Sequence, residues 1–419
     1  CKGECGCPQK QILLGGARPV MPRGPPPART FPNGIQPPAE GQEASPEQAF
    51  VDRCVAEFAA ARAIEKMPGG QHGVVISGIF VVPKKKAGSF RLVIDLRYAN
   101  GFFEAPKFHL SSWSSFRKQL RHGDKMTAVD LKSGYNSVDL HPSIRNAVAF
   151  TWRGTTYRFL TLPFGANFAP FAFSALMHPI AQYLRRHGIR VMQYLDDFLC
   201  VFRPEDAEWQ SALVRQIFAR LGLIVNSEKC EGWEQPVTRA TALGFTCCTE
   251  SMTLSVPPKR LEEAQRLAGG ILRSGRATRR ELAALLGKVQ SFSLVCGKLT
   301  MLYTRALYDR LTETDALRWD DAISIGSPAC TRELSFLAKR LASFGTVACS
   351  WECGAATLWA KVMYSDAGDD GMGSWVMQGT CFLGKPDDEW GREVEGAASC
   401  LGGAGFATLS STRRELMAL

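Results

Sequence analysis

The chain has 419 residues, of which 45% are hydrophobic and 21% are charged, and its net charge is +10. This length predicts two or three domains, and the composition is typical of globular proteins with a sizeable core rather than of disordered or fibrous ones. No apolar run reaches transmembrane length, so we expect no membrane partner. Fourteen scattered cysteines indicate mostly free thiols in a reducing, intracellular setting, either cytoplasmic or nuclear.

The first segments along the chain differ sharply in composition. Residues 1–47 are rich in Pro and Gly, which cannot build a core, and they predict a disordered lead-in. A helical spacing of apolar residues predicts a helix over 46–66. Apolar runs at 79–82 and 90–94 flank a lysine-rich turn, and they predict a β-hairpin with a cationic tip.

The middle of the chain mixes strands with helices. Asp196 and Asp197 separate two short apolar runs, which predicts a tight hairpin with carboxylates at its turn. Because strands and helices do not alternate strictly, we expect an α+β domain with a mostly antiparallel sheet. The predicted strands cover 125–130, 148–152, 157–159, 191–194 and 198–202, and the predicted helices cover 169–186 and 205–221.

The last part of the chain is first basic and helical, with predicted helices over 260–272 and 279–294, and then rich in strands. Residues 257–311 hold eleven Lys or Arg against four acids, which suits a phosphate backbone and equally suits a solvated basic surface. The predicted domains are a lead-in at 1–47, a mixed domain at 48–256, a helical domain at 257–358 and a strand-rich domain at 359–419.

Three carboxylates indicate the chemistry. Asp130 ends an apolar strand, and Asp196 and Asp197 lie at a hairpin turn. For any one of them alone, a turn or cap residue is the commoner role. Strand ends that each supply an aspartate can converge and hold two hard cations, and Mg²⁺ prefers a few carboxylates together with substrate phosphates. We therefore predict two Mg²⁺ ions, with Mn²⁺ as a substitute, that activate an attacking oxygen and neutralise a leaving group.

Residues 194–197, Tyr-Leu-Asp-Asp, resemble the Tyr-x-Asp-Asp box of reverse transcriptases, and residues 129–135 resemble the first catalytic motif of that family. The resemblance implies that Asp130, Asp196 and Asp197 are catalytic and bind the metal ions. It also implies that Tyr135, five residues after Asp130, packs under the deoxyribose and excludes a 2′-hydroxyl. The alternative for Tyr135 is simple packing in the core.

Further boxes follow in the family's order between about residues 77 and 245, and six boxes in order are highly specific. Lys85 and Arg91 resemble the residues of the fingers that grip the triphosphate, and the planar fork of Arg suits phosphate oxygens. Phe164 and Gly165 belong to a Leu-Pro-Phe-Gly box at the nucleotide, and Lys229 corresponds to a lysine near the leaving phosphates. The corresponding segments are 162–170 and 222–230, and 243–245 resembles the primer grip.

The downstream segments carry softer resemblances. Residues 279–288 are similar to the thumb and connection of retroelement enzymes, which implies contacts to nucleic acid by Arg279, Arg280 and Lys288. The overall character resembles DIRS-type, tyrosine-recombinase retrotransposons, with Ty3-type elements as near relatives. An ordinary buried helix is the alternative interpretation of the segment 279–288.

A second resemblance begins near residue 364. Tyr364-Ser365-Asp366-Ala367 resembles the first strand of RNase H, and residues 411–416 resemble its first helix. The resemblance implies a metal site that includes Asp366 and Glu415. Since the later aspartates of that domain do not follow, we expect an incomplete metal site and no RNA cleavage.

Together, these resemblances imply a right-hand polymerase with fingers, thumb and an antiparallel palm sheet, followed by a partial RNase H-like α/β domain. The implied activity is that of an RNA-directed DNA polymerase, part of a retrotransposon polyprotein, that extends a primer on an RNA or DNA template with dNTPs. One alternative is a decayed or domesticated nucleic-acid-binding relic. Another is an RNA-dependent RNA polymerase, which the bulk of Tyr135 disfavours.

Overall fold

A computed structural model describes residues 8–39, 41–68, 73–84, 88–132, 134–349, 358–367, 372–381 and 393–399. The chain divides into two compact units, residues 1–251 and residues 252–419. Within the described ranges, no helix is both long enough and apolar enough to cross a lipid bilayer.

The first unit mixes helices and strands, as the sequence predicts for this part of the chain. Its helices are α1 Pro8–Gly15, α2 Pro46–Ala60, α3 Arg97–Asn100, α4 Trp113–Phe116, α5 Ala169–Arg186 and α6 Ala207–Arg220. Its strands are β1 Arg29–Thr30, β2 Ile64–Lys66, β3 Val75–Ser77, β4 Ile79–Pro83, β5 Phe90–Ile94, β6 Lys125–Asp130, β7 Ala149–Trp152, β8 Thr155–Phe159, β9 Arg190–Tyr194, β10 Asp197–Phe202, β11 Arg239–Ala242 and β12 Phe245–Cys248.

A three-stranded antiparallel sheet in the order β6-β10-β9 forms the centre of the first unit. Consecutive residues of β6 and β10 are buried, so both faces of the sheet are covered. Helix α5 packs against β9 and α6 packs against β10. The Phe198 ring on β10 meets the Phe218 ring on α6 with centroids 5.3 Å apart. Burial on both faces explains why these strands are continuous apolar runs that end on charged residues.

The opposite end of this sheet is held by a buried ion pair. Asp124, which directly precedes β6, is 1% exposed and bonds to both terminal nitrogens of Arg190 at the start of β9, at 2.6 and 2.7 Å. The backbone N–H of Arg121 donates to the same carboxylate at 2.7 Å. A buried carboxylate with this many partners is fully compensated, and it fixes the start of β6 relative to β9.

Beside this sheet lie a five-stranded sheet in the order β1-β3-β7-β8-β2 and a separate β4–β5 hairpin. The predicted strand pairs at 79–94 and 148–159 are confirmed. The second pair turns at Arg153 and Gly154, both with positive φ, which is the two-residue turn whose twist matches a hairpin. Pairing in the larger sheet is parallel between β1, β3 and β7 and antiparallel elsewhere.

The prediction of a disordered lead-in over 1–47 is wrong for residues 8–39. This segment contains α1, and its strand β1 joins the five-stranded sheet beside β3. Ala17 is fully buried and forms a parallel bridge with Leu140. The Asn33 side chain accepts a bond from Ile79 and donates one to Thr151. Proline and glycine suit the extended conformation of this segment. The segment packs against the core of the first unit and does not form a core of its own.

The predicted helix over 46–66 is correct at its start and wrong at its end. Ser45 and Gln48 form a reciprocal capping box at the start of α2. The helix ends at Ala60, Arg62 adopts a positive φ, and Ile64–Lys66 pairs with β8 instead. The strand forms because Ile64 is buried beside β8, so tertiary pairing overrides the helical pattern.

The second unit is first helical and then rich in strands. Its helices are α7 Pro258–Ser274, α8 Arg279–Gln290, α9 Ser293–Cys296, α10 Leu299–Leu302, α11 Arg305–Glu313 and α12 Pro328–Lys339. Its strands are β13 Thr253–Ser255, β14 Arg276–Thr278, β15 Ala322–Ser324, β16 Thr346–Ala348, β17 Leu358–Ala367, β18 Met372–Cys381 and β19 Glu393–Ser399.

Strands β17, β18 and β19 form an antiparallel sheet in that order. Strand β17 includes residues 364–367, for which the resemblance implies a strand, and β18 and β19 fit the strand-rich character expected of this segment. The predicted helix over 411–416 lies outside the described residues.

Candidate active site

The central sheet brings the three aspartates of the sequence analysis to one of its ends. Asp130, the last residue of β6, lies directly opposite Asp197, the first residue of β10. Asp197 in turn pairs with Tyr194, so Leu195 and Asp196 form the two-residue turn between β9 and β10. The antiparallel register, rather than closeness in sequence, places Asp130 beside the other two aspartates.

The turn that carries Asp196 is held in an unusual conformation. Leu195 has a φ of +53°, which costs a residue with a side chain about 1 kcal/mol. The Gln193 side-chain amide donates to the Leu195 carbonyl oxygen at 3.3 Å, and the Leu131 N–H donates to the Asp196 carbonyl oxygen at 3.1 Å. Gln193 is 5% exposed. These bonds tie the turn to β9 and β6 and offset its strain.

Asp130 is contacted by side chains from a second segment of the chain, residues 226–230. Lys229 Nζ lies 3.1 Å from Asp130 Oδ2, and Asn226 Nδ2 donates to the same oxygen at 3.2 Å. The Asp130 N–H donates to Cys230 Sγ at 3.4 Å. Lys229 is 69% exposed, so its ion pair adds little to stability, and its ammonium remains accessible to other anions. The placement of Lys229 near the leaving phosphates stays a prediction.

The electrostatics of the site favour a cation. Burial raises the pKa of Asp197 to about 6, and the negative charges of Asp196 and Asp130 contribute to this rise. Burial also raises the pKa of Asp196, with a smaller contribution from Asp130. Lys229 acts in the opposite direction on both, but more weakly than the other causes. Three carboxylates that lack sufficient positive charge form a hard oxygen donor set of the kind that Mg²⁺ accepts.

Within the described residues, no group of three or more His, Cys, Asp or Glu side chains is arranged so that it could hold a metal ion, and Asp130, Asp196 and Asp197 form no closed cage. A two-cation site of this class needs no such cage, because substrate phosphates complete it. The donor chemistry therefore fits divalent cations, and Asp130, Asp196 and Asp197 are the residues that would hold them.

Tyr135 lies at the centre of an aromatic cluster beside the turn. It belongs to a short 3₁₀ turn, Gly134–Ser137, and its ring centroid is 4.8 Å from that of Phe164 and 5.3 Å from that of Phe173. A Cβ atom on Gly134 would lie 2.6 Å from the Phe173 ring, so a larger residue there would have to displace that buried ring. Burial raises the pKa of Tyr135, and the charge of Asp196 raises it further. Tyr135 is thus half-buried and faces the acidic turn at the same time.

The Leu-Pro-Phe-Gly box is held by a residue that the sequence analysis missed. Gly165 has a φ of +99°, and its carbonyl oxygen accepts from Asn100 Nδ2 at 2.9 Å. Asn100 Oδ1 accepts from the Asn167 N–H at 3.0 Å. Phe164 is 59% exposed next to this glycine. Asn100 carries no motif, and only its position in space shows its role. Asn226 and Gln193, also missed, lie inside or next to the recognised boxes.

The remaining predicted site residues differ in how fully the structure describes them. Arg91 is exposed on β5 opposite Val82, in the predicted hairpin. Lys85 and Glu415 lie outside the described residues. Asp366 lies on β17 opposite Gly373 of β18, and only its backbone position is described.

The three basic residues expected to bind nucleic acid have partners within the protein. Arg279 is 9% exposed, lies 4.4 Å over the Trp319 ring and forms an ion pair with Asp315. This placement corrects the expectation for Arg279, because its guanidinium supports the fold of the second unit. Arg280 remains exposed and pairs with Asp320 at 2.8 Å, and Lys288 pairs with Glu263 at 2.7 Å.

Comparison with known proteins finds a family model and several relatives that are similar to part of this chain. Residues 82–247 match the family model of the reverse transcriptase (RNA-dependent DNA polymerase). The chain is 29% identical over 182 residues to the retrovirus-related Pol polyprotein from transposon 412 of Drosophila melanogaster, covering 41% of this chain and 14% of that one. It is 25% identical over 253 residues to the Pol polyprotein from transposon opus of the same organism, covering 57% of this chain and 24% of that one.

A third relative is the transposon Tf2-3 polyprotein of Schizosaccharomyces pombe, with 24% identity over 46% of this chain and 15% of that one. The chain thus spans about a quarter or less of the length of the curated relatives it matches. Among solved structures, the foamy viral protease-reverse transcriptase dRH in complex with ds DNA is similar, with a TM-score of 0.62 at 15% identity. That match covers 97% of this chain and 62% of the foamy viral chain.

The mixed α/β fold therefore resembles that of retroviral reverse transcriptase structures. Residues 82–247 form a reverse transcriptase domain, homologous to those of retrotransposon and retrovirus-related Pol polyproteins.

Proposed function

We propose that this chain is an RNA-directed DNA polymerase that extends the 3′ end of a primer with dNTPs, as part of a retrotransposon polyprotein. The observation that carries the proposal is the convergence of Asp130, Asp196 and Asp197 at one end of the central sheet. The raised pKa values of Asp196 and Asp197 support it, because a site short of positive charge is suited to cations and to the phosphates that accompany them.

Asp130, Asp196 and Asp197 would hold two Mg²⁺ ions, for which Mn²⁺ could substitute. When bound, such ions supply Lewis acidity to the attacking 3′-oxygen and to the leaving pyrophosphate. The residues of the chain then do the positioning. Lys229, exposed beside Asp130, is suited to pair with the leaving phosphates, and Gln193 keeps the turn that presents Asp196 in place.

The aromatic cluster around Tyr135 and the β4–β5 hairpin would recognise the incoming nucleotide. Tyr135 would lie beneath the incoming sugar and leave no room for a 2′-hydroxyl, while Phe164 and the backbone of Gly165 would face the nucleotide. Arg91 on β5, together with Lys85, would grip the triphosphate. Arg280 and Lys288 would bind the template–primer, since both can exchange their protein carboxylates for phosphates.

The template partner is proposed to be RNA or DNA annealed to a primer. Support comes from the solved neighbours, since foamy viral protease-reverse transcriptase has been seen in complex with dsDNA and with an RNA/DNA hybrid. The basic charge of the chain favours the same kind of partner, because Lys and Arg displace counterions from a phosphate backbone.

Primer extension tests the proposal. A labelled primer on an RNA template is incubated with dNTPs and with Mg²⁺, Mn²⁺ or EDTA, using wild-type protein and the variant Asp196→Asn. We expect extension only by the wild type with a divalent ion, because the variant loses a ligand charge and keeps its packing. The exposed residue Asp139 provides the matched control Asp139→Asn. Normal extension by folded Asp196→Asn protein would refute the assignment, and circular dichroism of both variants checks the fold.

We further propose that residues 359–419 form a partial RNase H-like domain and that the element is of the DIRS type. The antiparallel β17-β18-β19 sheet, with Asp366 near the end of its first strand, supports the first part. RNase H activity is not expected from Asp366 and Glu415 alone, and an RNA/DNA cleavage assay measures it. For the DIRS type, the reading frame next to this sequence should encode a tyrosine recombinase.

A further inference from the structure

A cavity of about 190 Å³ lies within the first unit, against helix α5 and strand β9. Phe108 and Phe171 line it, with ring centroids 5.8 Å apart and an interplanar angle of 71°. A protein cavity of about 150 Å³ is large enough for benzene. This cavity therefore has room for a larger flat ring, and its aromatic lining favours one.

The cavity contains a polar group without a partner. Ser174 lines it and is 8% exposed, and its hydroxyl has no hydrogen-bond partner among the described residues. A helical serine usually returns its hydrogen bond to the carbonyl four residues earlier, and this one does not. A buried hydroxyl without a hydrogen-bond partner is unfavourable. A ligand in the cavity that bonds to the Ser174 hydroxyl would remove this cost.

Gln193 connects the cavity to the catalytic turn. It lines the cavity, is 5% exposed and donates one amide hydrogen to the Leu195 carbonyl oxygen. A side-chain amide carries two N–H bonds, so a second donor remains on the same nitrogen. His109 and His178 also line the cavity, and Nε2 of His178 is hydrogen-bonded to Gln182 Nε2 at 3.0 Å. The lining thus combines flat apolar walls with several hydrogen-bonding groups.

We propose that this cavity binds a nucleobase outside the polymerisation site. A base has a flat π-face that stacks on aromatic side chains and an edge of donors and acceptors that pairs with hydroxyl and amide groups. The inference rests on the proposed function for the source of the base, since a polymerase works in contact with nucleic-acid strands. The base comes either from a free nucleotide or from an unpaired position of a bound strand, and both present the same ring.

The test uses 2-aminopurine riboside, whose fluorescence falls when its ring stacks on another. Titration of the wild-type protein is expected to quench the probe saturably. Phe171→Ala should weaken the binding of the probe by about tenfold or more, because a stacking surface is lost. Ser174→Ala should weaken it by about fivefold, because a hydrogen bond is lost.

Ser77 provides the matched control. Its hydroxyl is also buried without a partner among the described residues, but it lies on β3 and does not line the cavity. Ser77→Ala should leave the affinity for the probe unchanged. A purely structural role for Ser174 predicts that both alanine variants change the melting temperature alike and that neither changes binding of the probe, which would overturn the proposal.

A second arm places 2-aminopurine at single positions in the template overhang. Quenching at one position, lost in Phe171→Ala, identifies the strand as the source, whereas quenching of the free riboside alone identifies a free nucleotide. Absence of saturable quenching in both arms, or equal quenching in the two cavity variants and the wild type, overturns the proposal. Primer extension with the same preparation separates the two ideas: extension without quenching removes the base site only, and quenching without extension removes the polymerase assignment only.

Discussion

The end of the central sheet and the start of helix α8 handle charge in opposite ways. At the sheet end, the carboxylates of Asp130, Asp196 and Asp197 face one exposed ammonium, and the pKa values of the latter two are raised. At α8, Arg279 and Arg280 each have a carboxylate partner. Charge that the protein leaves uncompensated indicates a site for a charged ligand, whereas charge that is both compensated and buried, as at Arg279, indicates a structural role.

The largest effect that tests this comparison is on catalysis. Asp197→Asn should lower primer extension by about 10³-fold or more, because an essential charge at the cation site is lost. Its free energy of unfolding in EDTA should stay equal to or exceed that of the wild type, since the carboxylate is repelled by its neighbours without metal. Single-turnover extension and urea unfolding measure the two quantities. A large loss of stability would make Asp197 architectural and would break the comparison.

The compensated carboxylate at the other end of the same sheet should behave in the reverse way. Asp124→Asn should lower the free energy of unfolding by about 3–5 kcal/mol, because it leaves the Arg190 side chain, which is only 18% exposed, without its charge partner. The exposed pair of Asp95 and Arg97 is the control, and Asp95→Asn should cost under about 1 kcal/mol. Urea unfolding compares the two variants. Equal costs would show that burial does not set the worth of these pairs.

A smaller effect concerns the choice of sugar. Tyr135→Ala should raise the efficiency of ribonucleotide incorporation relative to deoxynucleotide incorporation by about tenfold or more, because the ring no longer blocks a 2′-hydroxyl. Tyr135→Phe keeps the ring and its contacts to Phe164 and Phe173, and it should keep the ratio of the wild type. Single-nucleotide kinetics with both sugars measure the ratio. If Tyr135 only fills the core, Tyr135→Ala will slow both sugars alike.

Replacement of each arginine of α8 should affect the salt dependence of template–primer affinity differently. Arg280→Ala should reduce the slope of log affinity against log salt by about 0.9, the value for one lost phosphate contact. Arg279→Ala should leave the slope unchanged and lower the stability of the second unit by about 1–3 kcal/mol, because a nearly buried cation stacked on Trp319 is removed. Template–primer titrations between low and moderate salt measure the slopes. A reduced slope for Arg279→Ala would restore it as a phosphate contact.

The smallest effect is on stability against pH in the absence of metal. The pKa of Asp197 is about 6 in the folded protein and 3.8 for an unperturbed aspartate, so the folded state binds the proton more tightly than the unfolded chain. The contribution of Asp197 to stability is therefore unfavourable at pH 7 and improves as the pH falls from about 6 toward 4. Urea unfolding in EDTA at several pH values, for wild type and Asp197→Asn, should show the advantage of the variant shrinking over that window. A constant difference would mean that the pKa of Asp197 is not shifted.

Local sequence pattern was enough to predict the elements whose stabilising contacts are local or whose apolar runs are unambiguous. Helix α5 occupies the predicted residues 169–186, and strand β6 occupies the predicted residues 125–130. The boxes also singled out the three aspartates, which the strand register brings to one end of the sheet, and Tyr135, whose contact with the sugar stays a prediction. Periodicity and motif spacing are properties of the chain itself, and they survive without knowledge of what packs against them.

Partners that are distant along the chain changed the remaining expectations. Ile64–Lys66 became a strand because β8 accepts it, and the segment at 8–39 became ordered because it shares a core that begins far along the chain. Arg279 turned from a candidate phosphate contact into a buried support because Asp315 and Trp319 fold back over it. Partners more than 30 residues away leave no local pattern, so burial and pairing of charge had to be read in space.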